Sequence, residues 1–286
     1  MKSYRIKEFH SINGIRSQQQ HDPEPGPEEV VIRVMTASVN RRDAYILNRT
    51  YPLPPHENII PLSDGAGEVT AIGNKVTRFK IGDRVAGNYF PRWRDGRVGM
   101  DIMDQLGCTV DGMLCEYAVL HQDWLVLLPD YLTWEEASTL PCAALTAWSA
   151  LKDLSAGQTV LTMGSGGVSL FAIQFAKARG ARLVVLTSRD ENAERLMSVG
   201  AGLVINYRKN PNWSNEVLRF TKGQGVDLIM ETGGTDTIEQ SVGAVKMGGE
   251  IVVLNPYGSS ANQDALQSSR ILSAVFLRLI HVHAQY

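Results

Sequence analysis

Residues 164–169 read Gly164-Ser165-Gly166-Gly167-Val168-Ser169, directly after the apolar run Thr159–Met163. Those residue types at that spacing suit a pyrophosphate. Glycine at the first place permits a tight turn, and glycine at the third lets the backbone approach phosphate oxygens. The helix that follows turns its free N–H groups toward the negative charge. A G-x-G alone is weak evidence, but this one follows a strand-like run, opens a helical pattern, and leads to a second run, Arg182–Thr187, that ends about 20 residues on. Ser169 takes the place of a third glycine, where a small side chain suffices for close helix–strand packing.

The end of that second run selects between dinucleotides. A site for NAD(H) places Asp or Glu there for the ribose 2′-hydroxyl. Here the chain continues Ser188-Arg189. Serine can donate to a 2′-phosphate and arginine can pair with it, where a carboxylate would repel it. This favours NADP(H) over NAD(H), with Asp190 as the acid that would argue the other way.

Such a turn needs a parallel sheet behind it. Thr159–Met163, Arg182–Thr187, Leu203–Ile205, Val226–Glu231 and Glu250–Leu254 are apolar runs with little alternation, as strands buried on both faces are. Between them lie amphipathic helical stretches. In the first, Val168, Phe171, Ala172, Phe175 and Ala176 share one stripe that should pack on the sheet, and Gly180 stands where a helix C-terminus accepts positive φ. Repeated βα units imply a doubly wound sheet.

The region before it is β-rich. Glu29–Ala37, Gly65–Ile72, Asp83–Ala86, Leu114–Leu120 and Trp124–Leu128 read as short strands separated by turn signals, the pattern of a small barrel-like domain. Residues 88–112 show no period and are expected to form a long surface loop. Thr133 and Glu136 form a capping box for a helix over 133–139. The expected organisation is a catalytic domain over 1–128, a cofactor domain over 129–258 and a residual segment over 259–286.

Composition excludes several function classes. A formal net charge of −2 gives no basic field for nucleic acid or an anionic membrane. No apolar run reaches the ~18 residues of a membrane span, and residues 1–10 lack a signal-peptide core. Three cysteines, Cys108, Cys115 and Cys142, cannot build a disulfide framework and indicate free thiols. The expectation is a cytoplasmic enzyme acting on a small molecule, with neither nucleic acid nor membrane as partner.

The ordered motifs SVNRRDAY (38–45), PLSDGAGEV (61–69), GDRVAG (82–87), LPCAALTAW (140–148), GSGGVS (164–169), GARLVVLTS (180–188), GAGLVINYR (200–208), GVDLIMETGG (225–234) and GGEIVVL (248–254) resemble the medium-chain dehydrogenase/reductase superfamily. The likeness is strongest to its zinc-independent branch of quinone oxidoreductases and fungal alcohol-dehydrogenase-like proteins. It implies an α/β fold: an N-terminal GroES-like β-barrel catalytic domain plus a Rossmann doubly wound parallel sheet, with the active site in the cleft between them.

Zinc-dependent relatives hold their catalytic metal with a cysteine, a histidine followed by glutamate, and a second cysteine. At the matching positions this chain has Asn40, then Ser63-Asp64, then Cys142. Asn and Ser are poor zinc donors, so no metal is expected. The structural zinc loop of those relatives needs four cysteines, against Cys108 and Cys115 here. Cys142 is expected to be a small buried residue beside the nicotinamide.

Without zinc another group must supply a proton or stabilise an oxyanion. SVNRRDAYILNRTYP resembles the loop that supplies Asn, Asp and Tyr to the substrate cleft. Tyr51 matches a proton-donor tyrosine, and Tyr45 is the second candidate; a phenol can donate while staying neutral in the resting site. Asn40 and Asp43 are expected to orient the loop, and Thr146 resembles a threonine beside the nicotinamide. Further cofactor contacts carried over are Tyr207, Thr232, Gly233, Leu254 and Asn255, while Asn192 stands where NADP-preferring relatives often carry lysine.

The resemblance implies an oxidoreductase of alcohol/carbonyl, quinone or α,β-unsaturated carbonyl substrates, with homodimerisation through a late strand. Residues 274–286 resemble that strand, and family members continue several dozen residues further. A catalytic domain lacking its last strands is therefore expected, and a truncated chain that binds dinucleotide without turnover stands as the alternative.

Overall fold

The computed structural model describes residues 1–95, 102–254 and the backbone of 276–279. The chain divides into two compact units at Leu145/Thr146.

In the first unit, β1 (Lys2–Ile6) and β2 (Ile15–Gln19) form an antiparallel pair. The five-stranded antiparallel sheet comes from β3 (Glu29–Ser38), β4 (Asp64–Ile72), β5 (Arg84–Gly87), β6 (Tyr117–His121) and β7 (Leu125–Leu127), in the order β6-β3-β4-β5-β7. The β3–β4 register slips twice, between Val31/Ile32 and between Val34/Thr36. Such irregularities bend a strand and curl the sheet, giving the GroES-like unit expected. Its interior is filled by Val30, Ile32, Val69, Val85, Met113 and Leu125. Gly67 is required by close approach, because a Cβ there would lie 2.3 Å from the Arg33 carbonyl oxygen.

Two features of this unit differ from the sequence expectation. Within SVNRRDAYILNRTYP, expected as a loop, Arg41–Leu47 forms a helix, α1. The Asp43 carboxylate accepts the Asn40 N–H at 2.7 Å, and the Asp43 N–H donates to the Asn40 carbonyl. This satisfies donors that a helix start leaves open. Residues 88–95 and 102–112 are irregular as expected, yet they do not lie over the surface. Tyr89, Phe90, Trp93 and Leu106 are buried, and Leu106 packs with Val85 and Met113. Apolar residues without a period can fill a core as well as any strand, which a periodicity argument does not detect.

After β7 come α2 (Trp134–Ser138) and a wide helical turn over Leu140–Ala144 that runs into α3 (Leu145–Ala150). Thr133 and Glu136 form the capping box: the Glu136 N–H donates to Thr133 Oγ1 at 3.1 Å, and the Thr133 N–H donates to Glu136 Oε2 at 2.9 Å.

The second unit alternates β8 (Thr159–Met163), α4 (Gly167–Ala178), β9 (Arg182–Thr187), α5 (Ala193–Val199), β10 (Leu203–Asn206), α6 (Trp213–Phe220), β11 (Val226–Glu231), α7 (Ile238–Ala244), β12 (Val245–Val253) and β13 (Phe276–Leu279). The strands pair in parallel in the order β10-β9-β8-β11-β12-β13. This is the Rossmann order, reversing between β8 and β11, where ligands bind at the carboxyl edge. Successive residues of each central strand enter different cores. Val160 and Val185 join Ala172, Ile173 and Ala176 of α4, while Leu161 and Val184 join Trp213 and Val217 of α6. The buried face of α4 is Ser169, Ala172, Ile173 and Ala176, with Val168, Phe171 and Phe175 at its margin. The helix is thus turned about one residue from the stripe that hydrophobicity alone marks.

Candidate functional site

The glycine turn has the conformation its sequence demands. Gly164 lies at φ 83°, a left-handed backbone that glycine adopts without strain. Its N–H donates to the Leu186 carbonyl at 2.7 Å, fixing the turn to β9. No atom lies within 4 Å of where a Cβ would stand at Gly164 or Gly166. Neither glycine is therefore required by packing inside the protein, and the backbone there is open to a ligand. Gly166 is the N-cap of the 12-residue helix α4, in which Gly167 and Val168 form the first turn. Ser169 is buried and donates to the Met163 carbonyl at 2.5 Å, so a hydroxyl ties helix to strand in place of a third glycine. The residues fit a dinucleotide: an open glycine cradle at a helix N-terminus, on the carboxyl edge of a parallel sheet.

The other cofactor candidates are distributed around that edge. The Tyr207 N–H donates to the Thr187 carbonyl at 3.0 Å, beside Ser188 and the exposed Arg189. Thr232 donates through Oγ1 to the Met163 carbonyl at 3.4 Å. Leu254 is held by its N–H on the Glu231 carbonyl, while Asn255 lies outside the described residues. Gly233 is engaged internally. Its N–H and that of Gly234 donate to Glu231 Oε1 at 2.7 and 3.0 Å, and Thr237 and Ser241 donate their hydroxyls to the same carboxyl. Glu231 is fully buried; burial pushes its carboxyl above the usual range, against these four donors. No local pattern marks Glu231, which ends an apolar run.

Two of the catalytic candidates of the first unit, Tyr51 and Asp43, meet at an arginine that no local sequence pattern marks. Arg42 is buried, donating from Nη1 to the Leu106 carbonyl at 2.9 Å and from Nη2 to Gln105 Oε1 at 3.1 Å. Its guanidinium stands over the rings of Tyr89 and Tyr51, 4.6 and 5.3 Å from their centroids, and 3.7 Å from Asp43 Oδ1. The hydroxyls of Tyr51 and Tyr89 are 2.8 Å apart, and both reach Gln105 Oε1, at 2.8 and 3.1 Å. Burial, partly countered by Arg42, pushes the Tyr89 phenol well above its ordinary value. Burial opposes the charge on Arg42, but Tyr89, Tyr51 and Asp43 more than compensate and hold it protonated. Tyr45 is not part of this group: its hydroxyl accepts from Arg41 Nε at 2.8 Å on the exposed side of α1. Thr146 is buried at the start of α3, in the second unit.

The positions matching the catalytic zinc ligands form a different structure. Ser63 Oγ donates to Asp64 Oδ1 at 2.6 Å, and the Cys142 N–H donates to Asp64 Oδ2 at 3.0 Å. Asp64 is fully buried, and desolvation pushes its carboxyl up to about 6 despite help from Ser63, Asn40 and Cys142. Cys142 is half-buried rather than buried, and desolvation with Asp64 nearby holds its thiol far above the thiolate range. Zinc takes thiolates, imidazoles and carboxylates; the Asn40 amide and the Ser63 hydroxyl, at two of the three matching positions, do not fit it. At the lobe matching the structural metal, Cys108 and Cys115 direct their thiols at the Leu53 and Gly112 carbonyls. Desolvation pushes them up to about 11 and about 12. Among the described residues no group of three or more His, Cys, Asp or Glu could hold a metal ion.

A curled antiparallel unit joined in sequence to a Rossmann sheet with an open glycine cradle defines a dinucleotide-dependent dehydrogenase architecture. Residues 26–130 match the alcohol dehydrogenase GroES-like domain, and residues 167–277 match the zinc-binding dehydrogenase domain. A zinc-type alcohol dehydrogenase-like protein of Schizosaccharomyces pombe is 40% identical over 248 residues, covering 85% of this chain and 72% of that protein. A quinone oxidoreductase of Pseudomonas aeruginosa is 35% identical over 233 residues, covering 80% of this chain and 65% of the relative. The crystal structure of a quinone oxidoreductase from Pseudomonas syringae pv. tomato superposes with a TM-score of 0.80 at 28% identity, covering 98% of this chain and 81% of that one. The chain belongs to the medium-chain dehydrogenase/reductase superfamily and is an NAD(P)H-dependent oxidoreductase. Among the described residues no helix is long and apolar enough to cross a membrane.

Proposed function

We propose that the protein is a zinc-independent, NADPH-linked reductase of carbonyl, quinone or α,β-unsaturated carbonyl compounds. The observation that carries zinc independence is the Asp64 carboxyl, whose two oxygens are taken by the Ser63 hydroxyl and the Cys142 N–H. The NADPH preference is supported by Ser188 and Arg189 after β9, and by Asp190, which is bound to Asn206 and Lys209 instead of standing free for a ribose hydroxyl. Homodimerisation belongs to the same proposal and is tested by the mass of the protein in solution.

A bound nicotinamide dinucleotide supplies the hydride; the chain supplies position and a proton. Gly164–Val168 would cradle its pyrophosphate. Tyr51 holds the proton at its Oη. Two hydroxyl protons serve the three close oxygen contacts among Tyr51, Tyr89 and Gln105, so Tyr89 can turn its O–H to Tyr51 once Tyr51 has donated. The Arg42 guanidinium over both rings offsets the negative charge then left on the phenol. Asn40 and Asp43 act by capping α1, which carries Arg42.

The test is oxidation of NADPH and NADH with a panel of quinones, enones and aldehydes, on protein assayed for zinc. Faster turnover with NADPH, less than a tenth of an equivalent of zinc (on the order of trace content) and indifference to chelators are expected. Stoichiometric zinc, or tighter binding of NADH, would overturn the proposal.

A further inference from the structure

Strands β9 and β10 run side by side, with Thr187 opposite Asn206, so the residues after each emerge together at the carboxyl edge. From β9 come Ser188, Arg189 and Asp190; from β10 come Tyr207, Arg208 and Lys209. The Asn206 carboxamide joins the two. Its Oδ1 accepts the N–H groups of Arg208 and Lys209 at 3.0 and 3.4 Å, which leaves Nδ2 to donate to Asp190 Oδ1 at 2.6 Å. The other Asp190 oxygen takes the Lys209 ammonium. This turn also touches the glycine cradle, since Asn192 Nδ2 donates to Ser165 Oγ at 3.3 Å. An exposed ammonium is therefore engaged by a carboxylate of the very turn that touches the phosphate cradle.

We infer that Lys209 selects the phosphorylated dinucleotide, a ribose 2′-phosphate replacing the Asp190 carboxylate as its counter-anion. A phosphomonoester carries close to two charges and three acceptor oxygens, against one charge and two oxygens for Asp190. The exchange therefore favours a ligand bearing that group. A ribose hydroxyl offers no anion, so Lys209 stays with Asp190 and contributes nothing to such a ligand. Arg189, exposed on the same edge, adds charge of the same sign. Asp190 is then a competitor for the 2′-phosphate and not a ligand of the ribose.

This inference rests on the NADPH preference proposed above, and the test separates the two. Adenosine 2′,5′-bisphosphate and 5′-AMP are titrated into wild type, Lys209→Met and Asp190→Asn by calorimetry. Both side chains are more than half exposed, at 74% and 53%, so neither change disturbs a core. Lys209→Met should weaken the bisphosphate about ten-fold while moving 5′-AMP by less than about two-fold, and Asp190→Asn should tighten the bisphosphate about three-fold or more. If wild type prefers the bisphosphate but Lys209→Met keeps that preference, or Asp190→Asn weakens it, the role of Lys209 is refuted and the NADPH preference stands. If wild type does not prefer the bisphosphate, both fall.

Discussion

The backbone N–H of Cys142 donates to Asp64 Oδ2 at 3.0 Å, joining the start of β4 to the helical turn 78 residues later. A buried carboxyl with an elevated pKa makes stability depend on pH. In the folded chain Asp64 takes up its proton near pH 6, and in the unfolded chain near 3.8. Between those values the folded state holds a proton that the unfolded state lacks, so the free energy of unfolding falls as pH rises through the window, by roughly 3 kcal/mol in all. Asp64→Asn should flatten the melting temperature between about pH 4 and 6 and exceed wild type above it. An unchanged slope in the variant would assign the effect to another group.

Removing Arg42 should be costly. Arg42→Met leaves the Asp43 carboxylate, Gln105 and the Leu106 carbonyl short of a buried partner. A loss of about 3–5 kcal/mol in urea unfolding is expected. Arg42→Lys, which keeps the charge but not the fork of donors, should lose less.

Tyr51→Phe tests the proton donor. Turnover should fall about 10²-fold while the dinucleotide dissociation constant stays unchanged. Tyr89→Phe removes only the supporting hydroxyl and should cost less turnover than Tyr51→Phe. Equal turnover of Tyr51→Phe and wild type would place the proton source elsewhere, Tyr45 and water being the remaining candidates.

Gly166→Ala separates folding from binding. A Cβ there meets nothing within 4 Å in the protein, so unfolding should shift by no more than ~1 kcal/mol, the scale of an N-cap change. The same methyl would narrow the backbone's approach to a pyrophosphate, and dinucleotide affinity measured by fluorescence titration should fall about ten-fold or more. A variant binding as tightly as wild type would show that the cradle lies elsewhere.

Glu231→Ala strips the partner from the Gly233 and Gly234 N–H groups and from the Thr237 and Ser241 hydroxyls. Each buried donor left open costs about 1–3 kcal/mol. The variant should unfold several kcal/mol more easily, and Glu231→Gln, which retains an acceptor, should recover part of the loss.

Much of the architecture was legible in the sequence because it depends on local rules. The five parallel strands before residue 254 show as uninterrupted apolar runs, the glycine turn as a conformational requirement, and the Thr133–Glu136 cap as a three-residue spacing. These need only nearest neighbours, period and φ preference. What only the tertiary structure decided is which polar side chains meet. Arg42 lies next to Asp43 in sequence, but its other partners, Tyr51, Tyr89 and Gln105, are brought from two distant and irregular segments. Lys209 and Asp190 are 19 residues apart and meet because β9 and β10 lie in parallel register. Glu231 ends an apolar strand and becomes the anchor of the next loop only once that loop has folded over it. Local periodicity records which face of an element is apolar; the partner of a buried charge is set by long-range packing, which no local pattern encodes.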